Sequence, residues 1–357
     1  MDERKFRGIL SAGLKYRARD IHFKVGSPPL LRILDELRET PIPKLSAEDV
    51  EWVVRFLLRR THHNPDALLD EVETCFELEG AARFRASIFW QMGTMAVVLR
   101  IVPSEIPSFE SLELPRSIRQ VATLHRGLVL VAGVAGCGKS TTLASIIHEI
   151  NRTRHAHIVT IEDPVEFVHK PLMSSVTQRE VGKDTRSFNS ALRAALRQDP
   201  DVILVGEVRD LDTIDTALRA AETGHLVLAT IHTTDTAKTI GRLLGVFGQA
   251  EQAAVRYRLA ENLKAVIAQR LLPRKDGEGM ALACEAMFAS ATLQECIRDP
   301  ARTGEITDVI EQGGDRLNTH TFDQHLTELY RTGVVDLETA KAASSRPGDF
   351  ERALSFE

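Results

Sequence analysis

Gly133-x4-Gly138-Lys139-Ser140 has the residue types and spacing of a loop that grips phosphate. Backbone amides of Gly133, Ala135, Gly136, Cys137 and Gly138 would wrap a β-phosphate, and the helix that follows adds positive potential at its N-terminus. Lys139 would reach the β- and γ-phosphates, Ser140 would set its hydroxyl on Mg²⁺, and Thr141 would help at the α-phosphate. The apolar run LVLVAG before the loop and the amphipathic SIIHEI after it supply the strand and helix that such a loop joins. A mononucleotide-binding enzyme that uses ATP is the expectation.

Two further stretches offer carboxylates. In DVILVGEVRD (201–210) an apolar strand ends at Gly206 and exposes Glu207, which could order the water shell of Mg²⁺ or an attacking water. IVTIEDPVEF (158–167) repeats that logic with Glu162, Asp163 and Glu166; three such acids repel one another unless a cation or an arginine compensates. Glu162 is the favoured general base for water, with Glu207 as its competitor. His225 and His232 flank LVLATI at an odd separation, which puts them on opposite faces of an unbroken strand and argues against joint metal ligation. His232 begins a loop where a γ-phosphate sensor could sit; a surface or capping histidine is the plainer reading. Arg83 and Arg85 share one face of an expected strand and Arg100 ends another. Each is either a solvated edge residue or a cation presented to the phosphates by domain closure. Arg193, Arg197, Arg209 and Arg219 are candidates for pairing with acids across a subunit boundary.

The elements that must hold these groups follow from the same pattern. Residues 5–17 have helical spacing, DIHFKV (20–25) begins a strand-rich stretch, and Pro28-Pro29 precedes a short strand and a hairpin through Leu34-Asp35-Glu36. A serine-capped helix starts at Ser46, and CFELEG, RFRASIFW and TMAVVLRIVP read as strands. Residues 1–101 thus form a small α+β domain, the proline-bearing 102–117 a linker, and 118–357 a second domain. In that domain LVLVAG, HIVTIE, DVILVGE and HLVLAT alternate with helices, which calls for a mostly parallel sheet covered on both faces, an α/β fold. AKTIGRLLGVF and AVRYRLAENLKAVIAQRLL read as added helices and MALACEAMF as a late strand. FDQHLTELYRTG and VDLETAKAASS read as small helices, and the last residues as loose.

Bulk composition narrows the class. The chain has 357 residues, 50 acidic and 45 basic, so no basic field favours direct nucleic-acid binding. Cys75, Cys137, Cys284 and Cys296 form no zinc-like CxxC pair, and a disulfide at Cys137 would hamper nucleotide entry, which fits a reducing cytoplasmic compartment. MDERKFRGIL lacks the apolar core of a signal peptide, and no uncharged apolar run reaches the ~20 residues of a membrane span.

Taken together, these boxes resemble the PilT/PilU family of twitching-motility (retraction) ATPases within the secretion ATPase superfamily, over nearly the whole chain. DIHF with KVGSPP (20–29) resembles the family's amino-terminal signature, GCGKST (136–141) its Walker A, TIEDPVE (160–166) its Asp box, ILVGEVRD (203–210) its Walker B and GHLVLATIHTTDTAKTI (224–240) its His box. The resemblance implies a PAS-like N-terminal domain followed by a RecA-like P-loop ATPase domain, assembled as a homohexamer. It implies Glu162 as catalytic base, Glu207 as the Walker B acid, His232 with His225 as couplers of phosphate state to domain motion, and Arg83, Arg85 and Arg100 as the arginine set. It further implies a motor at the cytoplasmic, inner-membrane base of a type IV pilus machine, acting on the pilus platform protein to drive retraction.

The chain departs from the family at several points. QMGTMAV (91–97) lacks an arginine after the glutamine, Gly241 and Gly248 stand where aspartate and proline are usual, and ATLQECIRDPARTGE (291–305) replaces an AIRNLIRE-like motif. NTHTFDQHLTELYRTG (318–333) looks more like the PilU branch, which raises the alternative of an accessory subunit that depends on a paralogous retraction ATPase. A nucleic-acid-translocating RecA-like motor is the other alternative. Extension ATPases of the superfamily carry a larger amino-terminal region and a four-cysteine metal site. Neither is seen here, so Mg²⁺ with nucleotide and no stoichiometric zinc is expected.

Overall fold

A computed structural model describes residues 1–33, 36–60, 71–78, 82–102 and 105–356. They divide into two compact units, Met1–Glu105 and Ile106–Glu357.

The first unit comprises α1 (Glu3–Lys15), β1 (Asp20–Lys24), β2 (Leu30–Ile33), β3 (Glu36–Glu39), α2 (Ala47–Arg59), β4 (Glu71–Leu78), β5 (Ala82–Gln91) and β6 (Thr94–Val102). Its sheet runs β3-β2-β1-β6-β5-β4, antiparallel at every pairing. β2 and β3 pair as the expected hairpin, whose turn residues Leu34 and Asp35 lie outside the described residues. Ser46 caps α2 in a reciprocal box with Asp49, as its sequence signalled. β5 alternates strictly: Ala82, Phe84, Ala86 and Ile88 are buried with Phe6, Val53 and Leu57 of the helices, so Arg83 and Arg85 share the opposite side.

The second unit contains α3 (Arg116–Gln120), β7 (Gly127–Ala132), α4 (Lys139–Thr153), β8 (His157–Glu162), β9 (Ser175–Glu180), α5 (Phe188–Ala195), β10 (Val202–Val205), α6 (Leu211–Glu222) and β11 (Leu226–Ile231). It continues with α7 (Thr236–Gly245), α8 (Gln249–Asn262), β12 (Leu263–Pro273), β13 (Met280–Phe288), α9 (Ala291–Arg298), α10 (Ile306–Leu317), α11 (Phe322–Arg331), α12 (Leu337–Ala343) and α13 (Pro347–Phe356). The sheet order is β13-β12-β7-β11-β10-β8-β9, parallel throughout except for the β12/β13 pair. Val129 and Val131 of β7 pack with Leu143, Ile146 and Ile147 of α4 on one face. Leu128, Leu130 and Ala132 pack with Ile214, Ala217 and Leu218 of α6 on the other. Burial on both faces is why these strands read as unbroken apolar runs.

Four sequence expectations change. KAVIAQRLL is not a continuation of α8: the helix stops at Asn262 and β12 takes over, because two strand neighbours, β7 and β13, satisfy its backbone and cover it. SVTQRE, not expected as a strand, forms the edge strand β9. The final residues are not loose: Pro347–Phe356 is helical and Phe350, 3% exposed, joins the core. Of the expected linker 102–117, residues from Ile106 onward belong to the second unit, with Phe109 buried and Pro107 O accepting from Ser145 Oγ at 2.6 Å; Pro103 and Ser104 lie outside the described residues.

Candidate active site

Four parallel strands end side by side. Val205 registers with Ile161 and Ala229, and Ile231 with Ala132, so the residues that follow β7, β8, β10 and β11 emerge at one edge of the sheet. Ligand sites of open parallel sheets form at that carboxyl edge. A cavity of about 240 Å³ lies there, lined by Ala135, Gly136, Lys139, Ser140, Glu162 and Glu207 among others.

The loop between β7 and α4 takes its shape from glycine. A Cβ on Gly133 would fall 2.8 Å from Gln269 O of β12 and against the Cys137 thiol, while Gly138, the cap residue of α4, holds φ +88°. Cys137 is buried, and desolvation pushes its thiol up against the lowering influence of Lys139. Lys139, also buried, donates from Nζ to Gly133 O and Val134 O, both at 2.8 Å. Ser140 is exposed at the start of α4, and Thr141 follows in the same turn. Gln269 Nε2 donates to Thr142 Oγ1 at 2.7 Å, so β12 braces both the loop and its helix.

The two carboxylates sit in opposite environments. Glu162 ends β8; its Oε1 accepts from Thr160 Oγ1 at 2.6 Å and from Gln178 Nε2 of β9 at 3.1 Å. Burial raises its carboxyl above the usual range, outweighing the lowering effect of those two hydrogen bonds. Glu207 follows β10 and meets the Arg209 guanidinium and, at 3.2 Å, His232 Nε2. Burial alone would raise Glu207, but the Arg209 hydrogen bond and the charges of His232 and Arg209 hold it below the ordinary value.

Lys139, Ser140, Glu162, Glu207 and His232 therefore share one cavity, with Asp163 and Glu166 also in its wall. His225 does not join them. It precedes β11 at the opposite end of the strand, with Nδ1 3.0 Å from Ala220 O and 3.1 Å from Thr223 Oγ1. Arg83, Arg85 and Arg100 belong to the first unit: Arg85 pairs with Glu73 at 2.7 Å, and Arg100 with buried Asp20 at 2.8 Å. Arg209 and Arg219 meet acids of their own chain, Glu207 and Asp215. Sequence reasoning missed Gln178, which also donates to Phe167 O at 2.8 Å and accepts from His169 N at 2.8 Å, and missed buried His169 in the cavity wall. With Val176 as its one apolar residue, SVTQRE carries no alternation that would have pointed to Gln178.

Residues 4–346 match the family model described as Type II/IV secretion system protein. The chain is 40% identical over 342 residues to the type IV pilus retraction ATPase PilT of Pseudomonas aeruginosa, covering 96% of this chain and 98% of that one. It is 34% identical over 352 residues to the type IV pilus ATPase PilU of the same organism, covering 99% and 92%. The crystal structure of the pilus retraction motor PilT with bound ADP superposes with a TM-score of 0.89 at 41% identity, covering 96% of this chain and 98% of that one. The chain belongs to the Type II/IV secretion system protein family, as a PilT-like member with an N-terminal domain followed by a RecA-like ATPase domain.

Proposed function

We propose that the chain is an ATP-hydrolysing motor that drives or assists type IV pilus retraction as a homohexamer at the cytoplasmic face of the inner membrane, working on the pilus platform protein. One observation carries the chemical part: the phosphate loop with Lys139 and Ser140 shares a cavity with two carboxylates whose proton affinities are pushed apart. That divergence supports a division of labour. Glu162, with the raised value, is suited to take a proton from the attacking water, while Thr160 and Gln178 fix its carboxylate in place. Glu207, kept ionised, is suited to hold charge. The loop amides bind the β-phosphate, Lys139 stabilises the transferred γ-phosphoryl, and His232, in contact with Glu207, is placed to register loss of the γ-phosphate.

The hydroxyl of Ser140 and the ionised carboxylate of Glu207 are hard oxygen donors in the same cavity, a set that fits Mg²⁺, with Glu207 acting through water. When bound, Mg²⁺ neutralises charge on the phosphates. In the same reading the two domains are the two compact units, Met1–Glu105 and Ile106–Glu357, and Arg83, Arg85 and Arg100 remain candidates for the family's arginine set. Lys139→Ala is expected to abolish ATP turnover by the purified chain; phosphate release at the wild-type rate would overturn the assignment.

A second reading, an accessory subunit beside a paralogous retraction ATPase, draws on the segment 318–333 and on the 34% identity to PilU. Deleting the gene alone and together with its nearest paralogue separates the two. A strong motility defect in the single deletion favours the independent motor, and a defect seen only when the paralogue is weakened favours the accessory role.

A further inference from the structure

We propose that Cys284, His320 and His325 form a zinc-binding site in the second unit, distinct from the phosphate cavity. Among the described residues they are the one group of three histidine, cysteine or carboxylate side chains close enough to share a metal ion, and none of the three lines that cavity. Cys284 lies on β13, His325 on α11, and His320 on the segment between α10 and α11. Cys284 Sγ is 3.4 Å from His320 Nε2 and 3.5 Å from His325 Nδ1, and the three ligand atoms all lie within 4.8 Å of one another. Tetrahedral zinc, about 2.3 Å from sulfur and about 2.0–2.1 Å from nitrogen, has sulfur–nitrogen edges of about 3.5 Å. The cluster therefore already has the dimensions of two edges of a zinc tetrahedron.

The backbone holds the cluster without help from an ion. His320 and Ala286 exchange both main-chain hydrogen bonds, at 2.9 and 3.1 Å, which docks His320 beside β13 on the side that carries Cys284. Thr321 caps α11 in a box with Gln324, fixing the turn that presents His325. His325 Nδ1 accepts from the Cys284 amide at 3.0 Å, so that nitrogen bears a lone pair directed at Cys284. Both histidines also line a cavity of about 920 Å³ whose wall includes Glu328. The fourth position thus opens toward water or that carboxylate, whose charge already acts on Cys284 and His320.

Binding forms a zinc–sulfur bond and breaks the S–H bond of the free Cys284 thiol, and the proton leaves to solvent. The two imidazoles give up only lone pairs. His325 exchanges its amide hydrogen bond for the metal, so affinity falls below that of a closed four-ligand site and the chain folds with or without zinc. The expectation of no stoichiometric zinc came from the lack of the extension motors' larger amino-terminal region and four-cysteine site. A site of one cysteine and two histidines escapes that reasoning, and it gives no support to the four-cysteine extension motors.

The test uses the full chain stripped of metal, titrated with Zn²⁺ against a chromophoric chelator and with Co²⁺ as a spectroscopic substitute. The expected result is about one zinc per chain and a thiolate-to-cobalt charge-transfer band. That band should vanish in Cys284→Ser, and the affinity should fall about tenfold or more in His320→Gln, at a partly exposed position. Lys139→Ala should keep both signals, which separates this site from the nucleotide site. Absence of the charge-transfer band in the wild-type chain would overturn the proposal, as would wild-type zinc binding by a folded His320→Gln variant. If Cys284→Ser fails to fold, the wild-type band and the His320→Gln affinity decide the matter.

Discussion

At the scale of single residues, the decisive contrast is between Glu162 and Glu207, which sequence left as competitors for one role. Glu162 is desolvated beside two neutral donors, whereas Glu207 has a guanidinium and an imidazole for neighbours. Glu162→Gln keeps an oxygen for Thr160 and Gln178 but cannot take a proton. Turnover is expected to fall by ~10²–10⁴ with nucleotide affinity retained, as read by phosphate release and by titration with a fluorescent nucleotide. The same substitution has a stability signature. The folded chain binds the Glu162 proton more tightly than the unfolded chain, so the contribution of this group is full below the ordinary value of 4.5 and is lost as pH rises through the raised folded-state value. Gln has no such dependence. The thermal midpoint of Glu162→Gln should therefore gain on that of the wild type as pH increases from 4 to 8, and a constant offset across that range would refute the desolvation argument.

At the scale of elements, the back wall of the phosphate loop is β12, the segment whose sequence read as helix. Its carbonyl at Gln269 abuts Gly133, and its Gln269 side chain ties down Thr142. Gly133→Ala should destabilise the chain by about 1–3 kcal/mol in urea unfolding and weaken nucleotide binding in parallel, because the added methyl meets main chain that cannot swing aside. The loop, the four central strands and their helices were legible in the sequence, since each strand is short, apolar and bounded by glycine, proline or a cap. What escaped was decided by neighbours. KAVIAQRLL is apolar at both periods and becomes a strand only because β7 and β13 flank it. SVTQRE is too polar to announce a buried strand, yet it pairs with β8 at the sheet edge and carries Gln178 to Glu162. Of the two histidines, only the one beyond the carboxyl end of β11 could reach the site. That follows from strand direction, which periodicity alone does not reveal.

At the scale of the whole molecule, the question is whether hydrolysis in one chain depends on its neighbours. Each cavity draws lysine, hydroxyl and both carboxylates from a single second unit, so these four groups need no partner chain. A motor needs more than that: closing a ring makes each site mechanically subject to the next, and a catalytically dead subunit then blocks intact ones. Mixing Glu162→Gln with wild-type chains distinguishes the cases. Independent sites lose activity in proportion to the dead fraction, so an equal mixture keeps about half. If one dead subunit stalls a coordinated ring of six, an equal mixture keeps only the all-wild-type rings, about one sixty-fourth of the activity when subunits exchange freely. Glu162→Gln suits this use because it is expected to keep nucleotide binding and the loop geometry, and so should enter rings as readily as the wild type. A linear loss of ATP turnover with dead fraction, measured after subunit exchange is complete, would show that the chains hydrolyse independently and would remove the coordinated ring from the proposed function.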